Sequence, residues 1–399
     1  MPIVCRPVLR PIASVMTLLA VACVALAAPA RGEAIHIGQT QPYSGPASAY
    51  SVIGKVEAAY FAMLNQQGGV NGRTIELVSL DDGYSPPKTV EQTRRLVERD
   101  NVLLLFNTLG TPPNTAIHKY MNAKKVPQLF IASGASKWGD PEHFPWTMGF
   151  QPSYRTEARI YAKYLLQTKP DARIAVLYQN DDYGKDYLQG LKDGLGDTAS
   201  RMVVAEASYE VTDPTIDSQV VSLKGAGADV LFSVATPKFA AQAVRKAYDI
   251  GWHPLHILNS VSISIRAVLE PAGLDKSIGL LSAGYYKDPA DPRYAQDPAM
   301  QDWLAFMNRY VPDGSPADGF TLYGTLAAQT MAQVLKQCGN DLSRENVMRQ
   351  ATNLNFSPPL LLPGVSITTG PRDFFPIKQM LLQRFDGTHW VPFGEAISG

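Results

Sequence analysis

Three cysteines in 399 residues are too few to staple a fold, and two of them, Cys5 and Cys23, lie within the first thirty positions. With Cys338 left alone beyond them, an internal disulfide is excluded from any processed form, so the folded part must hold by packing. Charge of one sign is also missing. Thirty-six Lys and Arg residues face thirty-six Asp and Glu residues. Such a balance offers no broad basic face for a phosphate backbone and no polybasic membrane patch, and nucleic acid is not an expected partner. Equally absent are a Walker loop, an HExxH helix and a pair of cysteines at metal spacing, which removes the commonest nucleotide and metal chemistries. What remains is 45% hydrophobic residues with 31 Gly and 30 Pro, a composition for a globular chain large enough to build more than one core.

The first thirty residues read as a secretory leader. Arg6 and Arg10 supply a basic start, Ile12 to Ala28 an apolar middle rich in Ala, Val and Leu, and Ala28-Pro29-Ala30 a small-residue cleavage site. An uncleaved anchor is the alternative, because the stretch approaches the ~20 residues that a membrane span needs. The leader places the processed chain, starting near Arg31 or Ile35, in the periplasm.

From Ile35 onward, runs suited to strands alternate with runs of helical period. Ile35 to Thr40, Thr74 to Leu80, Val102 to Phe106 and Gln128 to Ile131 read as strands. Between them lie helices around Ile53 to Leu64, Pro86 to Arg99 and Asn114 to Ala123. A second series follows the Pro- and Gly-containing stretch 139–152. Its strands are Arg173 to Tyr178, Met202 to Tyr209, Val230 to Val234 and Leu255 to Leu258, again separated by helices. This order predicts an α/β protein of two doubly wound, parallel-sheet lobes joined by a hinge, with a cleft lined by the loops that follow the strands. Further helices at Met300 to Tyr310, Phe320 to Lys336 and Arg344 to Asn353, and a hairpin turning at Asp386-Gly387, must return to one lobe or the other.

Several segments carry a resemblance. Pro42-Tyr43-Ser44-Gly45-Pro46, the GGVNGRTIEL box at 68–77, Asp81-Asp82, VPQLFIASGAS at 126–136 and Asn180-Asp181-Asp182-Tyr183-Gly184 resemble the periplasmic solute-binding proteins of branched-chain amino-acid-type ABC transporters. The resemblance implies a type I periplasmic-binding-protein fold that closes on its ligand, with no catalysis, no cofactor and no metal. It also implies inner-membrane permease subunits as partners and a monomeric state. Three hinge crossings would assign 35–151 plus 285–353 to lobe one and 152–284 plus 354–399 to lobe two.

Carried residue by residue, the family pattern marks Tyr50, the Gly110-Thr111 to Asn114 junction and Ser133-Gly134-Ala135-Ser136 in lobe one. In lobe two it marks Tyr183, Thr236 and Ser260 as ligand-binding positions. Backbone N–H groups at such strand-to-helix junctions can hold a carboxylate without a fixed cation. Pro112-Pro113 departs from the hydroxyl-rich run of many members. Asn259-Ser260 also stands where amino-acid-binding members commonly offer an acid to the ligand's ammonium. A buried ammonium lacking a counter-charge costs several kcal/mol, so a small organic anion, an aromatic carboxylate above all, is the expected ligand. Tyr43, Trp138 and Trp146 add flat apolar surface nearby. A branched-chain or other hydrophobic amino acid or amide is the alternative ligand, and service to a receptor kinase is the alternative role.

Enzyme signals do not survive inspection. Ser85-Pro86-Pro87-Lys88 reads as a helix start, Gly225-Ala226-Gly227 lacks the third glycine of a dinucleotide loop, and His253 with His256 has no acidic or thiol companion. Cys338 beside Gly339 reads as a filler at a helix end.

Overall fold

The computed structural model describes residues 1–3 and 32–399, so all of the leader after residue 3 lies outside the described residues. Five strands, β1 (Ile35–Gln41), β2 (Ile75–Asp81), β3 (Leu105–Phe106), β4 (Gln128–Ile131) and β5 (Thr147–Gly149), make one sheet in the order β2-β1-β3-β4-β5. All its pairs are parallel. Between its strands run α1 (Val52–Gln66), α2 (Pro86–Arg94) and α3 (Thr111–Lys124).

A second sheet begins after α4 (Tyr154–Thr168). Its strands are β6 (Ile174–Gln179), β7 (Val203–Tyr209), β8 (Val230–Val234), β9 (Leu255–Leu258) and β10 (Leu281–Gly284). They are linked by α5 (Asp182–Leu195), the single turn α6 (Ala199–Met202), α7 (Asp217–Gly225), α8 (Pro237–Asp249) and the short α9 (Glu270–Ala272). The chain then forms α10 (Pro298–Tyr310), α11 (Gly319–Cys338) and α12 (Arg344–Ala351), followed by a two-stranded ribbon of β11 (Asn355–Phe356) and β12 (Ile367–Thr368). Last come β13 (Gln379–Phe385) and β14 (Trp390–Ser398), antiparallel and hydrogen-bonded beside β10 at the edge of the second sheet. Helix α11 lies along α1, on the first sheet.

The sequence dictates most of these elements. Each residue of β8 is buried, as an interior parallel strand with helices on both faces requires. In α8, Phe239, Ala240, Ala243, Val244 and Ala247 recur every three or four residues and form its buried stripe. Asp297, Asp318 and Ser343 cap α10, α11 and α12 by accepting a backbone N–H of the first turn.

Four sequence expectations need correction. The stretch 139–152, read as a connection, contains β5, and β10 was not expected at all. Both are only three or four residues long and sit among Gly and Pro. The run Val102 to Phe106 contributes only Leu105–Phe106 to the ladder, while the helix Pro86 to Arg99 ends in a wider π turn at Arg95–Arg99.

One buried acid sets a pH dependence. Glu57 on α1 is fully buried; its Oε2 accepts from the Gln39 amide at 2.7 Å and its Oε1 has no partner. Burial pushes its pKa well above the ordinary carboxylate value. The stabilising contribution of its proton is therefore complete below that ordinary value and fades as pH rises, because the unfolded chain ionises first. Glu57→Gln, neutral at every pH, should raise the unfolding free energy at pH 8 by about 1–2 kcal/mol and have almost no effect near pH 4. Equal shifts at the two pH values in thermal melts would refute this account.

Candidate functional site

Strand order locates the crevice. In the first sheet β1 is flanked by β2 and β3, so the connections after β1 and β3 leave on opposite faces; β6, between β7 and β8, does the same in the second sheet. Ligands bind where such connections diverge. Tyr50 follows β1, Gly110 and Thr111 follow β3, Tyr183 follows β6 and Thr236 follows β8. All five line one cavity between the lobes, as does Ser260 after β9.

The lobe-one wall rests on local backbone chemistry. Gly110 has φ +99°, and a Cβ there would lie 2.4 Å from Cε2 of Tyr84, so only glycine fits. Thr111 opens α3, and its N–H is the only free donor of the first turn: positions 112 and 113 are prolines, and the Asn114 N–H bonds the Gly110 carbonyl at 3.2 Å. The Thr111 hydroxyl pairs with Ser133 Oγ at 2.6 Å, and Ser133 Oγ also accepts the Trp138 indole N–H at 2.9 Å. Ser133 thus braces the wall from behind. Asn114 donates to the Thr108 and Gly110 carbonyls at 2.8 and 2.7 Å and holds the loop rather than facing the cavity.

Gly134 and Ala135 also lie outside the lining. The Gly134 carbonyl accepts the Tyr154 N–H at 2.8 Å, and a Cβ on Gly134 would come within 2.3 Å of the Pro152 carbonyl. Ala135 is fully buried. Ser136 has a different task. Its N–H and hydroxyl donate to Asp186 of α5 at 2.6 and 3.0 Å, and Arg155 Nε meets the same carboxylate at 2.9 Å. Lys137 pairs with Asp182 beside it. Together with the Tyr50 hydroxyl, which donates to the Val261 carbonyl at 2.9 Å, these contacts hold the two lobes closed.

In lobe two the Asp181 carboxylate caps α5 by accepting the Tyr183 and Gly184 N–H groups at 3.0 and 3.2 Å. The Tyr183 hydroxyl lies 2.7 Å from the Asn259 side chain; with the amide oxygen turned toward it, the Asn259 nitrogen reaches the Ser233 and Ala235 carbonyls. Ser260 is spent on a partner behind the wall. Its N–H and hydroxyl donate to Glu157 at 2.7 and 2.6 Å, and the Tyr161 and Tyr187 hydroxyls complete four donors to that carboxylate, each at 2.7 Å. Burial raises the Glu157 pKa while the four donors oppose the rise.

Sequence reasoning missed six of the eight aromatic residues of the wall. Tyr84, Tyr154, Tyr285, Tyr286 and Tyr323 join Tyr50 and Tyr183, so seven tyrosines and Phe320 surround the space and no charged side chain lines it. Tyr154 stacks on Tyr187 with ring centres 4.6 Å apart, and Tyr50 meets Phe320 at 4.8 Å. Burial raises the Tyr154 phenol to about 12, so it remains a hydrogen-bond donor at neutral pH. Tyr43 instead bonds Ser79, and Trp138 is fully buried behind Ser133. His256 does not line the cavity and pairs with Ser233 at 2.8 Å.

Comparison with known proteins agrees with this architecture. A model described as periplasmic binding protein matches residues 34–389. The chain is 24% identical over 336 residues, 79% of this chain and 80% of the other, to Leu/Ile/Val-binding protein homolog 7 of Brucella suis. A branched-chain amino acid ABC transporter protein of Thermus thermophilus with bound valine superposes with a TM-score of 0.82 at 16% identity, covering 92% of this chain and 97% of that one. A solute-binding protein of an ABC transporter from R. palustris in complex with benzoate gives 0.77 at 18% identity over 92% and 98%. With two parallel-sheet lobes closing on one cavity and a family match over nearly all of its described length, this chain belongs to the periplasmic binding protein family.

Proposed function

We propose that this protein captures a small aromatic carboxylate between its lobes in the periplasm and delivers it, as a monomer, to the permease of an ABC importer, without chemical turnover. The lobes are 35–151 plus 285–353 and 152–284 plus 354–399, a division supported by α11 lying along α1 and by β13–β14 joining the second sheet. The observation that carries the ligand class is the wall of seven tyrosines and one phenylalanine without a charged side chain. The Thr111 N–H and hydroxyl, at the positive end of α3, suit the carboxylate, and the tyrosine rings suit an aromatic face. An α-ammonium finds no counter-charge on the lining, because the Glu157 carboxylate behind Ser260 is taken up by four other donors. That same buried carboxylate, one residue behind the lining, favours the second reading, a hydrophobic amino acid, as do the name of the Brucella relative and the valine in the Thermus structure.

A thermal-shift panel of benzoate, 4-hydroxybenzoate, coumarate, leucine and valine separates the two. A ligand that binds only the folded state adds about 2.7 kcal/mol at a hundredfold excess over Kd. The aromatic acids should give the largest shifts. Leucine or valine leading, with the aromatic acids inert, would reverse the ligand assignment.

A further inference from the structure

A second, smaller cavity adjoins the first at Tyr286, the one described residue that lines both. Its walls come from Ile265 after β9, Asp288 after β10, Gly319 at the start of α11, Gln383 of β13 and Trp390 of β14. Hydrogen bonds hold these walls in place. The Trp390 indole N–H donates to the Ile263 carbonyl at 2.8 Å, the Trp390 backbone N–H to one oxygen of Asp288 at 2.8 Å, and the Ala290 N–H to the other at 2.9 Å. At the partition itself, a Cβ on Gly319 would lie 3.2 Å from the Tyr286 hydroxyl, so the glycine leaves the ring its place.

One polar group in this chamber is left over. Gln383 is 3% exposed, and its amide nitrogen has no partner. A Cβ on Gly284 would come within 2.7 Å of the Gln383 amide oxygen and 3.0 Å of the nitrogen, so the glycine makes the space that the amide occupies. A buried N–H without an acceptor costs free energy that an incoming oxygen restores. On the same chamber, each Asp288 oxygen accepts one backbone N–H and keeps a lone pair. A hydroxyl is the small group that uses both, accepting from Gln383 and donating to Asp288. A carboxylate there would meet the Asp288 charge and be repelled. Thr111 lines the first cavity and not the chamber, so a ligand anchored at Thr111 offers the chamber its other end.

We propose that this chamber is a hydroxyl-reading subsite of the ligand cavity, entered past the Tyr286 ring, and that it selects ligands whose aromatic ring carries a hydroxyl at the end far from the carboxylate. The subsite rests on the reading of the chain as a protein that captures an aromatic carboxylate. Gln383 is then a specificity-determining residue: its unmet N–H is satisfied by the ligand, and a ring without the hydroxyl forgoes that bond.

The test uses two pairs that differ only in that hydroxyl, 3-(4-hydroxyphenyl)propionate with 3-phenylpropionate and tyrosine with phenylalanine. Each is titrated calorimetrically into wild type and into Gln383→Met, which keeps the length of the side chain and loses the N–H. In wild type the hydroxylated acid should bind at least about tenfold more tightly than its partner. In Gln383→Met, whose fold circular dichroism checks, the preference should fall below about twofold while 3-phenylpropionate binds as before. Equal affinities within the pair in wild type overturn the proposal whatever the variant does, and so does a preference that survives in folded Gln383→Met. If tyrosine and phenylalanine bind and the two acids do not, the aromatic-acid reading fails, and the same comparison of hydroxylated with plain ring still decides the subsite. Binding of neither pair overturns both.

Discussion

Replacing Glu157 with alanine should destabilise the protein by about 3–5 kcal/mol and weaken ligand binding at the same time. The Ser260 N–H, the Ser260 hydroxyl and the phenols of Tyr161 and Tyr187 would lose their acceptor together inside a fully buried space. Tyr187 stacks on Tyr154 and Ser260 lines the cavity, so the disturbance passes straight into the binding wall. Glu157→Gln keeps the volume and one acceptor and should cost roughly half as much, since hydroxyl donors can turn to accept from the new amide. Thermal unfolding and ligand titration on both variants give the comparison. An alanine variant as stable as wild type would show that the four donors find other partners.

A single methyl group should do comparable damage on the other side of the cleft. Gly110→Ala forces alanine into φ +99° and drives its Cβ to 2.4 Å from the Tyr84 ring and 3.1 Å from Pro113 Cδ. Neither neighbour can retreat easily: Tyr84 is pinned by Asp82, and Pro113 is fixed in the first turn of α3. The expected cost is about 2–4 kcal/mol in stability, with ligand affinity down at least a hundredfold. Gly68→Ala is the control, because Gly68 shares a positive φ (+104°) but has nothing within 4 Å of a Cβ. Backbone strain alone there should cost about 1 kcal/mol and leave binding intact. If the two variants behave alike in unfolding and titration, the contact with Tyr84 is immaterial.

These expectations depend on features that were unevenly visible in the sequence. The strands at 128–131, 230–234 and 255–258 coincide with the structure to the residue, because short, mostly apolar runs bounded by turn residues mark strands covered on both faces. β5 and β10 were invisible for the opposite reason: three or four residues carry no period, and only pairing with β4 and β9 fixes them as strands. The cavity follows the same logic. Tyr50, Gly110, Thr111, Tyr183, Thr236 and Ser260 sit just past strand ends, a place that can be located in a sequence. Tyr285 and Tyr286 sit just past β10 and were lost with it, whereas Phe320 and Tyr323 come from the start of α11, whose approach to the cleft depends on the return of the chain. Tyr84 left a faint trace, since a tyrosine directly after Asp-Asp-Gly is an odd choice for a turn residue.

The clasp that Ser136 and Lys137 make with Asp186 and Asp182 includes no residue of the cavity lining. It is therefore available to an unloaded molecule as well, and every 1.4 kcal/mol it contributed would multiply the unloaded, shut population by about ten. Unloaded molecules in that shape would compete at the membrane with those carrying cargo. The Lys137–Asp182 pair lies at the rim, with side chains 31% and 51% exposed, where water and salt hold its worth to a fraction of a kcal/mol. The Ser136–Asp186 half is less exposed, since Asp186 is buried, so any bias of an unloaded molecule toward the shut form would come mainly from that half.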